Sequence, residues 1–307
     1  MASTFMGAGR RRRTVRERRV REGALAYLLL LPSLVAFAVF VFYPLVKTFS
    51  LAFYRTPPFP GLPKRYVGLD QISGVLTSSE FRSSLWITVK FGLLTVAPGI
   101  ALGLGLAVLA HQTLRGIGVF RTIFSSTVAT SVAVASVIFF TLLNPTVGLV
   151  TWMLGQTGGT GILQDPTWAL PAVAAVTVWQ NLGFTFILMS AALQGVPDDL
   201  LEAASVDGAS PWLRFWRVTF PLLTPTVFFA VVIGSINAFQ AFGQIDLLTE
   251  GGPLNRTRVL TYYLYQQAFK SNNDGVAAVI AISLFAVTLV LTLVQLRFLE
   301  RRVSYER

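Results

Sequence analysis

Residues 200–221 read LLEAASVDGASPWLRFWRVTFP, and apolar runs long enough to cross a bilayer lie on both sides. Pro197 ends whatever precedes the segment. Asp199 and Glu202, three residues apart, have the D-x-x-E spacing of a capping box. Leu200 to Val206 are then predicted to form a short helix, which Gly208 stops by taking the left-handed conformation. Ser210 caps a second helix with Pro211 at its first position. That helix runs from Trp212 to Phe220, and Pro221 closes it. Neither piece is long enough to span, so the segment lies on one face of the membrane. Ala203, Ala204 and Ala209 let another surface come close, and Trp212, Phe215 and Trp216 are large, with Arg214 and Arg217 beside them. Two uses fit this chemistry: a knob that docks into a partner protein, or an amphipathic helix lying on lipid.

Outward from the segment, the chain is unlike a soluble domain. Of its 307 residues, 53% are hydrophobic and 13% charged, about half the charge a soluble surface needs. The net charge of +11 does not point to nucleic acid, because eight arginines crowd between Arg10 and Arg21, directly before the first apolar run. That is the pattern of a membrane anchor with its basic flank inside. Residues 24–46 are too long for a signal peptide's apolar region and no A-x-A site follows, so they read as a retained anchor. With no cysteine and His111 as the single histidine, thiolate and multi-histidine metal sites are excluded.

Six runs approach the length of about 20 residues that about 30 Å of hydrocarbon requires: 24–46, 86–110, 123–143, 170–193, 222–242 and 276–296. The expected fold is an all-α membrane protein with a basic tail at 1–23, a six-span domain at 24–296 and a second tail at 297–307. With the N-terminus inside, the inner segments carry sixteen Lys and Arg and the outer segments eight. Both termini are therefore expected in the cytoplasm, and the 198–221 segment with them, between spans four and five. Lys90 sits near the outer end of the second run and can snorkel to the interface. Gly99, Gly103 and Ala107 make a small-residue row for close helix approach. The outer loops around 50–85 and 244–275 contain PPFPGLP (57–63) and EGGP (250–253). Both are expected to be ordered turns that present a surface.

The opening segment resembles the EAA motif of permease subunits in binding-protein-dependent ABC importers, E-A-A-x3-G-A with a preceding Asp and downstream prolines. Glu202, Ala203, Ala204, Asp207, Gly208, Ala209, Phe215, Pro221 and Pro225 match it. The resemblance implies a coupling helix seated in a cleft of an ATP-binding subunit. FYPLVKTFSLAF (42–53), YVGLDQISGVL (66–76), RGIGVFRT (115–122) and LLTEGGPLNRT (247–257) resemble the carbohydrate-uptake branch. SLWITVKFG (84–92), LLNPTVGLVT (142–151), LQGVPDDLLEAASVDGA (193–209) and VQLRFLERRVSY (294–305) are similar to the glycerol-3-phosphate and glycerophosphodiester permeases of the first-subunit type. Permeases for neutral sugars of the maltose or trehalose type share much of this, and remain open. The resemblance implies a bacterial cytoplasmic-membrane complex with a second permease, two ATP-binding subunits and an external solute-binding protein. ATP and Mg would be held by those partners, with no cofactor in this chain and membrane lipid around it.

Polar residues inside spans are costly and point to function. Thr177, Gln180, Asn181 and Thr185 fall on one face of the fourth span, with Trp179 adjacent. Asn237, Gln240 and Gln244 recur at steps of three and four in the fifth, flanked by Phe239 and Phe242. Amides beside ring faces suit hydroxyl-rich solutes; interhelical hydrogen bonding is the competing use. Ser125, Ser126, Thr127, Thr130, Ser131 and Ser136 of the third span are expected to bond their own helix. A phosphate would need a cation, and no arginine lies in any span. No P-loop, G-x-S-x-G or H-E-x-x-H occurs, so transport energy comes from another subunit. No Asp or Glu lies in the six runs, which argues against an ion-coupled secondary transporter.

Overall fold

A computed structural model describes residues 27–57, 62–112, 115–153, 159 and 161–299. The basic tail at 1–23, the middle of PPFPGLP and residues 300–307 lie outside the described residues. The chain divides into two compact units, Met1–Leu51 and Ala52–Arg307. Among the described residues, the first contains one helix, α1 (Tyr27–Leu51). It runs past the predicted end at 46, and Thr48 and Ser50 satisfy their hydroxyls on the carbonyls of Pro44 and Lys47, at 2.8 and 2.7 Å.

The second unit opens with a two-residue strand pair, β1 (Tyr54–Arg55) and β2 (Arg65–Tyr66), antiparallel with Tyr54 opposite Tyr66. A short α2 (Asp70–Thr77) leads to α3 (Ser79–Ala110). This helix starts seven residues before its predicted boundary, because Ser78 caps it by accepting from Phe81 N at 3.2 Å. Then come α4 (Ile117–Ala129), α5 (Val132–Leu142), α6 (Leu149–Met153), α7 (Ala169–Gln194), α8 (Asp198–Val206) and α9 (Pro211–Phe239). The chain ends with α10 (Gly243–Leu248), α11 (Leu260–Tyr265) and α12 (Asp274–Leu299). Among the described residues, α1, α3, α7, α9 and α12 are long and apolar enough to span, and α4 with α5 makes a sixth if the pair is one span.

Two expectations fail here. The third span is not one helix over 123–143: α4 and α5 meet at 107°. Thr130 is extended (ψ 120°), and Ser131 restarts the helix as an N-cap (ψ 155°), accepting from Val134 N. Nor does Pro221 close a separate short helix. Residues 215–219 form a π turn, Phe220 N reaches back to Phe215 O, and the helix continues through Pro221 to Phe239. Proline in a helix clashes with the carbonyl four residues back. The extra residue of a π turn moves that carbonyl aside. Pro44 follows the π turn Ala38–Phe42 in the same way.

α7 is the central element, and Val173, Val176, Phe186, Met189 and Leu193 are buried along it. Toward one end it shares a core with Phe91, Ala238, Ile245 and Tyr262; toward the other, with Ala107, Ala110, Leu223 and Ala230. Of the predicted small-residue row, Gly103 does bring α3 onto α7: a Cβ there would lie 2.5 Å from Thr185 Cγ2. Gly99 instead opens onto a cavity. Because Thr185 is branched and its backbone is also near, Gly103→Ala is expected to destabilise the fold by about 1–3 kcal/mol, read as a lower melting temperature in detergent.

The 244–275 loop is ordered. Leu260 N donates to Thr88 Oγ1 at 2.8 Å, Thr261 Oγ1 to Phe239 O at 2.8 Å, and Tyr263 OH to Glu80 Oε2 at 3.0 Å. Burial, followed by the bond to Glu80 and its charge, pushes the Tyr263 phenol up to about 12, against the opposing pull of Arg258. The folded state therefore holds the phenolic proton more tightly than the unfolded chain, whose value is about 10. This stabilisation is complete below pH about 10 and is lost as pH rises through about 12. In Tyr263→Phe, the drop in melting temperature across that window is expected to shrink.

Candidate functional site

The segment at 198–221 folds largely as its turn chemistry requires. α8 ends in a paired C-cap: Ala209 N donates to Ala204 O at 3.0 Å and Gly208 N to Ser205 O at 3.1 Å. Gly208 has φ +77°, and nothing lies within 4 Å of where a Cβ would stand. Ser210 accepts from Leu213 N at 3.3 Å, with Pro211 at the first helical position. The capping box is absent. Pro197 is the N-cap of α8, and Asp198 and Asp199 fall in its first turn with no side-chain cap bond. Proline's fixed φ already suits the entry, and acids there complement the helix dipole.

Glu202, Ala203, Asp207 and Gly208 face outward, while Ala204, Ala209 and Phe215 are half-buried. Trp216 joins Trp212, Phe215 and Phe220 in edge and tilted ring contacts with centroids 4.9–5.6 Å apart. α8 carries the acids Asp198, Asp199 and Glu202, with Asp207 directly after it, and no base. Lipid-lying helices carry Lys and Arg on their polar face, so this face suits a protein surface better than an anionic bilayer.

The second site is a half-open cavity of about 410 Å³ between α3, α7 and α9. Thr177, Gln180, Asn181 and Thr185 line it from α7, as their spacing predicts, and Asn237, Gln240 and Gln244 line it from the other side. The second row is not one helical face, however. α9 ends at Phe239, Gln240 caps it, and Gln244 belongs to α10. The turn between them folds the amides back toward the same space. No charged residue lines the cavity among the described residues.

Trp179 is not in the wall; it packs edge-on against Phe139 at 5.1 Å. Phe242 is in the wall, whereas Phe239 is buried and lies 3.6 Å from where a Cβ of Gly92 would be. Sequence reading missed Thr95 and Gly99 of α3 and Val132 at the start of α5, all of which line the cavity. The spacing of four from Thr95 to Gly99 was the available signal. Lys90 is exposed, with its ammonium 5.2 Å over the Trp86 ring and outside the cavity wall. Of the third-span hydroxyls, Ser125, Ser126 and Thr127 donate to Thr122 O, Ile123 O and Phe124 O as expected, whereas Ser131 caps α5 by accepting from Val134 N and the buried Ser136 hydroxyl has no partner among the described residues.

Residues 99–305, which include the 198–221 segment and all of the cavity wall but Thr95 and Val96, match the family described as binding-protein-dependent transport system inner membrane component. The chain belongs to that family. The permease is 36% identical over 286 residues to the sn-glycerol-3-phosphate transport system permease protein UgpA of Agrobacterium fabrum (strain C58 / ATCC 33970), covering 92% of this chain and 96% of the relative. The protein of the same name from Salmonella choleraesuis (strain SC-B67) is 33% identical over 288 residues, covering 93% and 97%. Among solved structures, a bacterial alginate ABC transporter in complex with an alginate pentasaccharide-bound periplasmic protein has a chain of the same fold. Its TM-score is 0.81 at 23% identity, over 94% of this chain and 99% of that one. The permease is thus an inner-membrane component of a binding-protein-dependent transport system, built mostly of helices.

Proposed function

We propose that the permease translocates a carbohydrate-type solute across the bacterial cytoplasmic membrane, with sn-glycerol-3-phosphate or a glycerophosphodiester preferred. The observation that carries this is the cavity, whose wall presents unbonded amides: Asn237 and Gln240 make no side-chain hydrogen bond among the described residues. Such groups suit hydroxyls, which bond to amides on both donor and acceptor sides. The names of relatives more than 30% identical over most of both chains support the phosphate-bearing polyol.

Both termini lie in the cytoplasm, and the turn at Glu202 to Ala209 docks on an ATP-binding subunit without touching solute. A second permease subunit, two ATP-binding subunits and an external solute-binding protein complete the complex. ATP and Mg bind to the ATP-binding partners. ATP binding and hydrolysis there alternate the cavity's access between outside and inside.

A second reading keeps the family and makes the solute a neutral sugar. It is favoured by one observation, the absence of any cation from the cavity wall among the described residues. Reconstitution with the accompanying chains and the binding protein separates the two. ATPase stimulation by glycerol-3-phosphate or its diesters is expected. Stimulation by maltose- or trehalose-type sugars alone would overturn the preferred solute.

A further inference from the structure

The break in the third span leaves backbone groups without helical partners, and in hydrocarbon each needs another. Thr130 N is satisfied by Thr127 O at 3.0 Å, and Val134 N by Ser131 Oγ at 3.3 Å. The Thr130 carbonyl accepts from a residue fifty positions along the chain, Gln180 Nε2 on α7, at 3.2 Å. The other end of the same amide is also engaged: Gln180 Oε1 accepts from Gln244 Nε2 at 3.3 Å. One turn further along α7, Gly183 N donates to Thr127 Oγ1 at 2.7 Å. A Cβ on Gly183 would lie 2.5 Å from that oxygen, so α4 sits directly on α7 here.

The chain just past the break forms part of the cavity. Val132, the first residue of α5, stands in its wall, with Cγ1 2.7 Å from where a Cβ of Gly243 would be. The bend therefore sets the position of the wall on the α5 and α10 side.

We infer that Gln180 is a positioning residue and not a solute ligand. Its amide closes the backbone gap at the bend of the third span and holds Val132 and Gln244 in the cavity wall. Both ends of that amide are in use, whereas Asn237 and Gln240 are free to meet solute. The inference rests on the cavity being the solute path, and it divides the polar wall into residues that touch solute and one that holds the wall in place.

The test reads the bend directly. The chain has no cysteine, so cysteines replacing Ile123 on α4 and Val137 on α5, both exposed, carry spin labels without background from this subunit. The distance between the labels is measured by pulsed electron resonance in the assembled complex with cysteine-free partners. Gln180→Leu removes both bonds. Gln180→Glu keeps the shape and the acceptor but loses the donor to Thr130, which covers the case in which the leucine variant fails to assemble. In each, the fraction of complexes at label separations outside the parent's main peak is expected to rise about fivefold, the effect of losing one net hydrogen bond. Gln244→Leu and Asn237→Leu, which leave the Thr130 bond intact, are expected to keep the parent distribution.

An unchanged distribution in both Gln180 variants overturns the inference, whether uptake falls (a direct solute contact) or holds (no role). An equal shift in Gln244→Leu overturns it too, because general packing would then hold the bend. Failure of any solute to stimulate the parent's ATPase would sink the transport reading and leave the distance result standing.

Discussion

Gly208→Val is expected to leave the permease folded and membrane-inserted, while solute uptake by the assembled complex falls about tenfold or more. Nothing occupies the space beside Gly208, so the penalty is conformational. At φ +77° a β-branched residue is strained. The cost of about 1–2 kcal/mol is small against a whole fold. It is large against a single turn, where it shifts the populations about 5- to 30-fold. The paired bonds from Gly208 and Ala209 back to Ser205 and Ala204 depend on that conformation. Losing them turns the outward face of α8 relative to Ser210 and Pro211. Gly208→Asn is the control, since asparagine tolerates the left-handed region, and it is expected to keep most of the uptake. Uptake and ATPase measured on the same proteoliposomes should part company in the valine variant, with hydrolysis continuing as transport fails. Parent uptake kinetics in Gly208→Val would refute the coupling role.

The second large effect concerns the cavity. Asn237→Leu combined with Gln240→Leu is expected to reduce uptake about hundredfold while basal ATPase persists. Each substitution leaves a solute hydroxyl facing hydrocarbon, and a buried group without a partner costs about 1–3 kcal/mol. Two such losses reach about hundredfold. The leucines replace side chains that bond nothing within the described protein, so the helices themselves lose no hydrogen bond. If the double variant transports normally, these amides line space that solute does not enter.

Features legible in the sequence are those whose signals are local. The spans could be found because bilayer crossing is a matter of run length, and five of the six runs are helices that extend past or close to their expected ends. The turn at Gly208, Ser210 and Pro211 could be read because left-handed glycine, a serine cap and a first-turn proline act within a few residues. The break at Thr130 could not be seen. No glycine or proline marks it, and a serine- and threonine-rich stretch looks the same whether its hydroxyls bond their own helix or cap a new one. The carbonyl that the break frees is met by Gln180, far along the chain.

Pro221 misled for a related reason. The π turn that accommodates it has no sequence signature. Asn237, Gln240 and Gln244 were rightly grouped, though on the premise of one continuous helix. They converge because the chain turns after Phe239. Trp179 was misplaced because the residue next in sequence is about 100° away around a helix, which turns it to Phe139.

The π turn at 215–219 also has a mechanical side. The 29 residues from Pro211 to Phe239 form one continuous helix despite Pro221 and Pro225, about 43 Å long at 1.5 Å per residue. One end adjoins the glycine turn at 208 and the other carries Asn237 into the cavity. A rod of that length, tilted by about 10° about one end, carries its far end through about 7 Å, more than the width of a hydroxyl-bearing carbon unit. On the coupling role proposed for the turn at Gly208, a helix that stays continuous through Pro221 and Pro225 is what links a displacement of that turn to the amides.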